Sequence, residues 1–120
     1  MKNAPDHPRL IWVLGGGRWW LATNGPPADR AARQDAIIAS YERALATVRA
    51  QRGAAVGRLE PDWGEPELLM SLAWSHLNKV RPDPAHAETY AREALALVPS
   101  WHYVKDILLP QILAAKGGRA

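Results

Sequence analysis

The sequence predicts an all-α fold of about five helices, and three observations carry that prediction. Helix-opening and helix-ending residues recur along the chain, with proline or an acid at the starts and glycine or proline at the ends. In the alanine-rich middle, Ile37, Ile38, Tyr41, Leu45 and Val48 follow three- and four-residue steps, the period of an amphipathic helix. No stretch alternates apolar and polar residues as a half-buried strand does.

Taken in order, Asp6-His7-Pro8 reads as a cap with proline in the first turn of a helix running to about Leu21. Its middle, WVLGGGRWW (Trp12 to Trp20), sets three glycines among tryptophans. RLIWVL retains strand propensity, which would make the glycines a phosphate-cradling loop. GGGRWW lacks the Gly-Lys-Ser/Thr ending of such a loop and the third glycine of a dinucleotide fingerprint. The helical reading is preferred. It makes Gly15 a small packing residue, with Gly16 and Gly17 each costing very roughly 1 kcal/mol relative to alanine. That cost implies a close approach by a backbone or a ligand.

TNGPPAD is a loop by its Asn, Gly and Pro content. A second helix is expected over about Asp29 to Arg52, stopped by Gly53. GAAVGRLEPDWGEP is irregular, with Trp63 expected to pack onto the helices. Pro66 opens a third helix reaching Lys79. Asp83 caps, and Pro84 opens, a fourth that ends near Val98. Ser100 caps a fifth, 101–116, in which Pro110 should force a kink. The whole is one domain: a tail 1–7, a helix pair 8–52, a connection 53–65, a second pair 66–99, a closing helix 100–116 and a tail 117–120.

Apolar residues make up 48% and charged residues 22%, the balance of a folded protein and not of a disordered tail. No apolar run reaches the roughly 18–20 residues of a membrane span, and the start does not read as a secretory signal. A cytoplasmic location is expected if Met1 is the native start, a periplasmic one if the chain is a piece of a longer exported protein. The absence of cysteine removes disulfides, thiolate zinc sites and cysteine nucleophiles. A net charge of +3 permits an acidic partner without demanding one.

SYERALATV (Ser40 to Val48) and TYAREALALVP (Thr89 to Pro99) look alike, and each follows an apolar helix and a proline-containing loop. Self-similar helix pairs are the mark of a solenoid. Leu72-Ala73, Ala87, Ala91, Ala94-Leu95 and Pro99 in the second pair resemble the tetratricopeptide repeat. Leu14-Gly15, Tyr41, Ala44 and Leu45 in the first resemble it more loosely. Tyr90 stands one place off the pattern, the turn within the second pair is short, and the first pair carries a longer loop. The resemblance covers most of residues 8–116. It implies antiparallel helix pairs in a right-handed superhelical array, two degenerate repeats closed by a capping helix.

The resemblance also implies a partner groove lined from the first helix of each pair. The positions that carry over are Arg9, Trp12, Gly16, Trp19 and Trp20, then Glu67, Met70, Trp74, Leu77 and Asn78. Aromatics, Met and Arg are the residues of binding hot spots, although the same tryptophans would also suit a small core. The expected function is therefore non-catalytic: docking of a peptide, a partner helix or a second subunit, with Arg9 and Glu67 orienting it. The alternative is a small-molecule-binding or enzyme-accessory domain that takes a flat or cationic ligand in the same aromatic pocket. Two repeats are fewer than such arrays usually need, so a homodimer or a place in a longer array is also expected.

No catalytic residue and no cofactor is expected. His76 and His86 flank a turn that brings both near Asp83, and are the candidate metal ligands, without any diagnostic spacing. Ser75 and His76 diverge by about 100° on a helix and make no dyad. Arg30, Arg33, Arg43, Arg49 and Arg52 alternate with Asp29, Asp35 and Glu42. That is a solvated face and not a phosphate stripe, which disfavours nucleic acid.

Overall fold

A computed structural model describes residues 8–54 and 64–117. In order, α1 (Pro8–Asn24), a 3-10 turn (Pro27–Asp29), α2 (Arg30–Ala54), α3 (Glu65–Asn78) and α4 (Pro84–Leu97) are followed by a π-helical turn (Tyr103–Leu108) that continues into α5 (Leu109–Gly117). The described residues contain no strand. Each helix packs mainly on its neighbours in sequence, α1 on α2, α2 on α3, α3 on α4 and α4 on α5. The result is a slab of 48 × 35 × 18 Å.

The core is one continuous apolar seam. Ile37, Ile38, Tyr41, Ala44, Leu45 and Val48 of α2 face Leu68, Leu69, Leu72 and Ala73 of α3, all buried. On α4 the buried positions are Ala87, Ala91 and Ala94, and small residues at this spacing let a neighbouring helix approach closely. Val104, Leu108 and Ile112 close the seam from the far side. Ion pairs tie the layers at the rim. Arg49 reaches Glu65 of α3 at 2.9 Å and Glu93 of α4 at 2.7 Å, and Lys116 of α5 reaches Glu88 of α4.

Several helix ends differ from the sequence expectation, each for a local reason. α1 runs on to Asn24, whose side-chain amide donates to the Trp20 carbonyl at 2.9 Å. α2 continues through Gly53 to Ala54. α3 opens at Glu65 after Gly64, whose φ of 114° lies in the left-handed region open to glycine. The Gly64 N–H donates to the Glu67 carboxylate at 2.8 Å, the backbone half of a capping box. Asp83 caps α4, accepting from the His86 N–H at 3.2 Å.

The last helix opens from the Trp101 carbonyl, which accepts from the Lys105 N–H at 2.9 Å, one residue later than a Ser100 cap would place it. Pro110 is accommodated by the π turn before it. The Leu109 N–H donates five residues back, to the Val104 carbonyl, so the turn widens just upstream of the residue that lacks an N–H. Trp63 lies outside the described residues.

Candidate functional site

The three glycines of α1 are inside a helix, and each meets different surroundings. A β-carbon at Gly15 would overlap the phenol ring and hydroxyl of Tyr41, whereas Gly16 and Gly17 face open space. Gly15 is thus where α2 approaches, through a side chain. Gly16 opens onto a groove.

That groove has a volume of about 870 Å³ and lies between α1 and α3. From α1 it takes Trp12, Gly16, Trp19, Trp20, Thr23 and Asn24; from α3, Met70, Ser71, Trp74, Ser75 and Asn78; Tyr41 and Tyr103 complete it. Helical geometry explains the gathering. Residues 12, 16, 19, 20 and 23 share one face of α1, and 70, 71, 74, 75 and 78 share one face of α3. α1 and α3 barely touch otherwise. They are bridged by the Trp12 indole N–H donating to the Ser71 hydroxyl at 2.9 Å. Further along, the Trp19 and Trp74 rings meet edge to face, centroids 5.6 Å apart and planes at 70°, a favoured aromatic geometry.

The tryptophans divide between core and groove. Trp19 is 6% exposed and belongs to the core as much as to the groove wall. Trp12 and Trp74 are half-buried. Trp20, at 63% exposed, stands at the rim.

Of the positions expected to form a partner face, Trp12, Gly16, Trp19, Trp20, Met70, Trp74 and Asn78 lie together here. Leu77 packs against the core instead. Glu67 is engaged in capping α3. The Arg9 side chain lies outside the described residues.

Sequence reasoning passed over Thr23, Asn24, Tyr41, Ser71, Ser75 and Tyr103. A signal for one of them, Asn24, was present. Trp20-Leu-Ala-Thr-Asn24 and Trp74-Ser-His-Leu-Asn78 are the same Trp-x-x-x-Asn pattern, and both end a helix. In each, the Asn amide N–H turns back to the Trp carbonyl at 2.9 Å. This pairing matches α1 to α3 one helical turn away from the register implied by the repeat resemblance, which sets Trp20 against Asn78. The polar side-chain groups of the groove are hydroxyls, amides and indole N–H groups, and none of its lining residues carries a formal charge at neutral pH.

The histidine cluster sits elsewhere. His76 of α3 is buried and stacked between His86 and Tyr90 of α4, with centroids 5.2 and 5.7 Å away and planes within 21° and 17°. The His86 Nδ1 is held by the Asp83 carboxylate at 2.5 Å, and neither ring nitrogen of His76 has a hydrogen-bond partner. Burial, then the nearby Lys79 and His86, hold the His76 imidazole below the ordinary histidine value, against opposing pulls from Asp83 and Glu42. No group of three or more His, Asp or Glu among the described residues is placed to hold a metal. His76 and His86, the candidate ligand pair, meet in this structure as stacked rings beside Asp83.

The arginines of α2 are largely turned onto the protein. Arg30 donates to the Gly25 carbonyl, Arg33 to the Pro26 carbonyl, and Arg49 binds Glu65 and Glu93. No helix among the described residues is long and apolar enough to cross a membrane. Comparison of the chain with protein-family models, curated proteins and solved structures finds no match in any of the three.

Proposed function

We propose that this chain is a non-catalytic binding domain whose groove between α1 and α3 docks a partner peptide or helix. The observation that carries the reading is the groove itself, a roughly 870 Å³ space walled by four tryptophans, two tyrosines and a methionine. Rigid aromatic anchors of this kind dominate binding energy at interfaces. From Trp12 to Asn24 the α1 wall is about 18 Å long at 1.5 Å per residue, room for three turns of a docked helix. The arrangement would be that of a tetratricopeptide-like helical repeat, an assignment supported by the repeated residues quoted above and by the all-helical chain.

The volume also falls within the range of small-molecule sites, about 300–1,000 Å³, which favours a small-ligand reading as the second choice. A second copy of the chain would more readily use the end faces, where Leu14 and Leu21 of α1 and Leu113 of α5 are exposed. Light scattering would then return twice the 13.2 kDa chain mass.

Gly16→Leu is the test variant. Its side chain enters open space, helix propensity improves by up to about 1 kcal/mol, and the groove is filled. Peptides selected from a displayed library on the native chain should lose at least tenfold in affinity for this variant. Binders indifferent to it would sink the reading.

A further inference from the structure

We infer that the partner docked in the groove is an amphipathic peptide whose acidic end lies over the carboxyl ends of α1 and α3. This rests on the groove being the docking site and names the chemistry of its occupant. The groove wall is uncharged, so a charge preference must come from the residues around its end. There the side chains are basic. The Arg30 and Arg33 guanidiniums donate to the Gly25 and Pro26 carbonyls at 3.2 and 2.8 Å, directly after the groove-lining Asn24. Lys79 follows the groove-lining Asn78. Arg18 adds to them from α1. Burial raises the Tyr41 phenol and the Arg18 charge opposes that rise, so a positive charge is felt at the groove wall.

These cations are only partly neutralised. Asp29 lies 3.9 Å from Arg33 and Asp35 lies 3.8 Å from Lys79, both beyond hydrogen-bond reach. Asp83 is taken by His86. Arg30 and Arg81 have no carboxylate partner among the described residues, and the Arg30 Nε is buried without an acceptor. The two helix C-termini bring roughly half a negative charge each, less than the cations gathered around them. Lys79 and Arg81 also line a small cavity of about 100 Å³, and Gln34 joins it to the groove. The buried Gln34 amide accepts from the Val80 N–H at 2.8 Å and donates to the groove-lining Thr23 hydroxyl at 3.5 Å. A peptide seated on the tryptophans can therefore set a carboxylate against Lys79 and Arg81. Nucleic acid is the poorer match, because the groove wall carries no cation to follow a phosphate backbone.

The probes are peptides of about 12 residues, the length of the α1 wall, selected from the displayed library and kept only if Gly16→Leu weakens them. These binders are expected to carry Asp or Glu clustered at one end. Replacing those acids by their amides should weaken binding about tenfold at low salt, and by less at high salt. Arg81→Glu, at an exposed position in the turn between α3 and α4, should weaken the acidic peptide about tenfold while melting like the native chain. Arg43→Glu makes the same charge change about 15 Å along α2 from Arg33 and should weaken it less than about threefold. Binders without clustered acids, or indifferent to amide replacement, overturn the acidic end and leave the docking groove standing. Equal losses in the two arginine variants trace the preference to net charge and overturn the site. Tight binding of an oligothymidylate that Gly16→Leu removes would give the groove to nucleic acid and overturn the peptide. A selection that yields no binder sensitive to Gly16→Leu overturns the docking reading itself, and the acidic end falls with it.

Discussion

Gly15 and Gly17 are two residues apart, yet α1 treats them oppositely. A methyl group at Gly15 meets the ring of Tyr41, which is itself buried, while one at Gly17 meets nothing within 4 Å. Gly15→Ala is therefore expected to destabilise by about 1–3 kcal/mol through overpacking. Gly17→Ala should stabilise by up to about 1 kcal/mol through helix propensity, and paired thermal melts check both. His76 makes the other residue-scale prediction. Its folded pKa is held below the ordinary histidine value of 6.5, chiefly by burial. The unfolded chain therefore binds the proton first as pH drops. Stability from this group is present above 6.5, declines as pH falls below it, and levels off once the folded imidazole also protonates. His76→Phe keeps a ring in the stack and removes two unpartnered nitrogens, so the stability difference between pH 8 and pH 5 should shrink in that variant. Tyr90 acts at the opposite end of the scale. Burial, reinforced by Glu42, raises its phenol to about 12, so its contribution is complete below pH 10 and is lost as pH climbs toward 12.

At the scale of elements, α5 shows how a proline can be absorbed without breaking a helix. Val104, Leu108 and Ile112 are all fully buried at four-residue spacing. In a regular α-helix such a row drifts by about 40° per step, given 3.6 residues per turn. The wider π turn over Tyr103–Leu108 counters that drift and keeps the row on α4. The Arg49 junction is the second inter-element device, joining α2 to α3 and α4 by two ion pairs. Arg49 is 44% exposed at its side chain, so solvent screening limits the value of the pairs. Arg49→Ala is expected to cost about 1 kcal/mol, with the loss shrinking at high salt; denaturant titrations at two ionic strengths measure it.

For the whole molecule, the layered packing makes stability uneven. α3 contributes Leu68, Leu69, Leu72 and Ala73 to the core and lies against both α2 and α4. α1 leans mainly on α2, and its wholly buried groups are Gly15, Trp19 and Ala22 among the described residues. Regions with few buried contacts open first, so amides of α1 should exchange with solvent well before those of α3 and α4. A ligand bridging α1 and α3 would slow exchange in α1 more than anywhere else, because it supplies the contact that the two helices otherwise lack. Equal protection across α1 and α3 in the ligand-free chain would contradict this account of the packing.

The all-helical character and the approximate extents of the helices were legible in the residues, because proline, glycine and apolar periodicity act locally. Ile37, Ile38, Tyr41, Leu45 and Val48 announce their buried face by spacing alone. The repeat resemblance set Trp12, Gly16, Trp19 and Trp20 on one face of α1, and in the structure these four line the groove. What spacing could not convey was which neighbour each side chain would meet. Gly15 packs on Tyr41 and Gly16 faces open groove although both are glycine in the same helix, and Glu67 is used to cap its own helix. His76 and His86 are near in sequence and near in space, and spacing did not show that their rings would stack. These outcomes depend on how α1, α3 and α4 sit on one another. Such placement is set by the volumes of side chains distant in sequence, which no local pattern encodes.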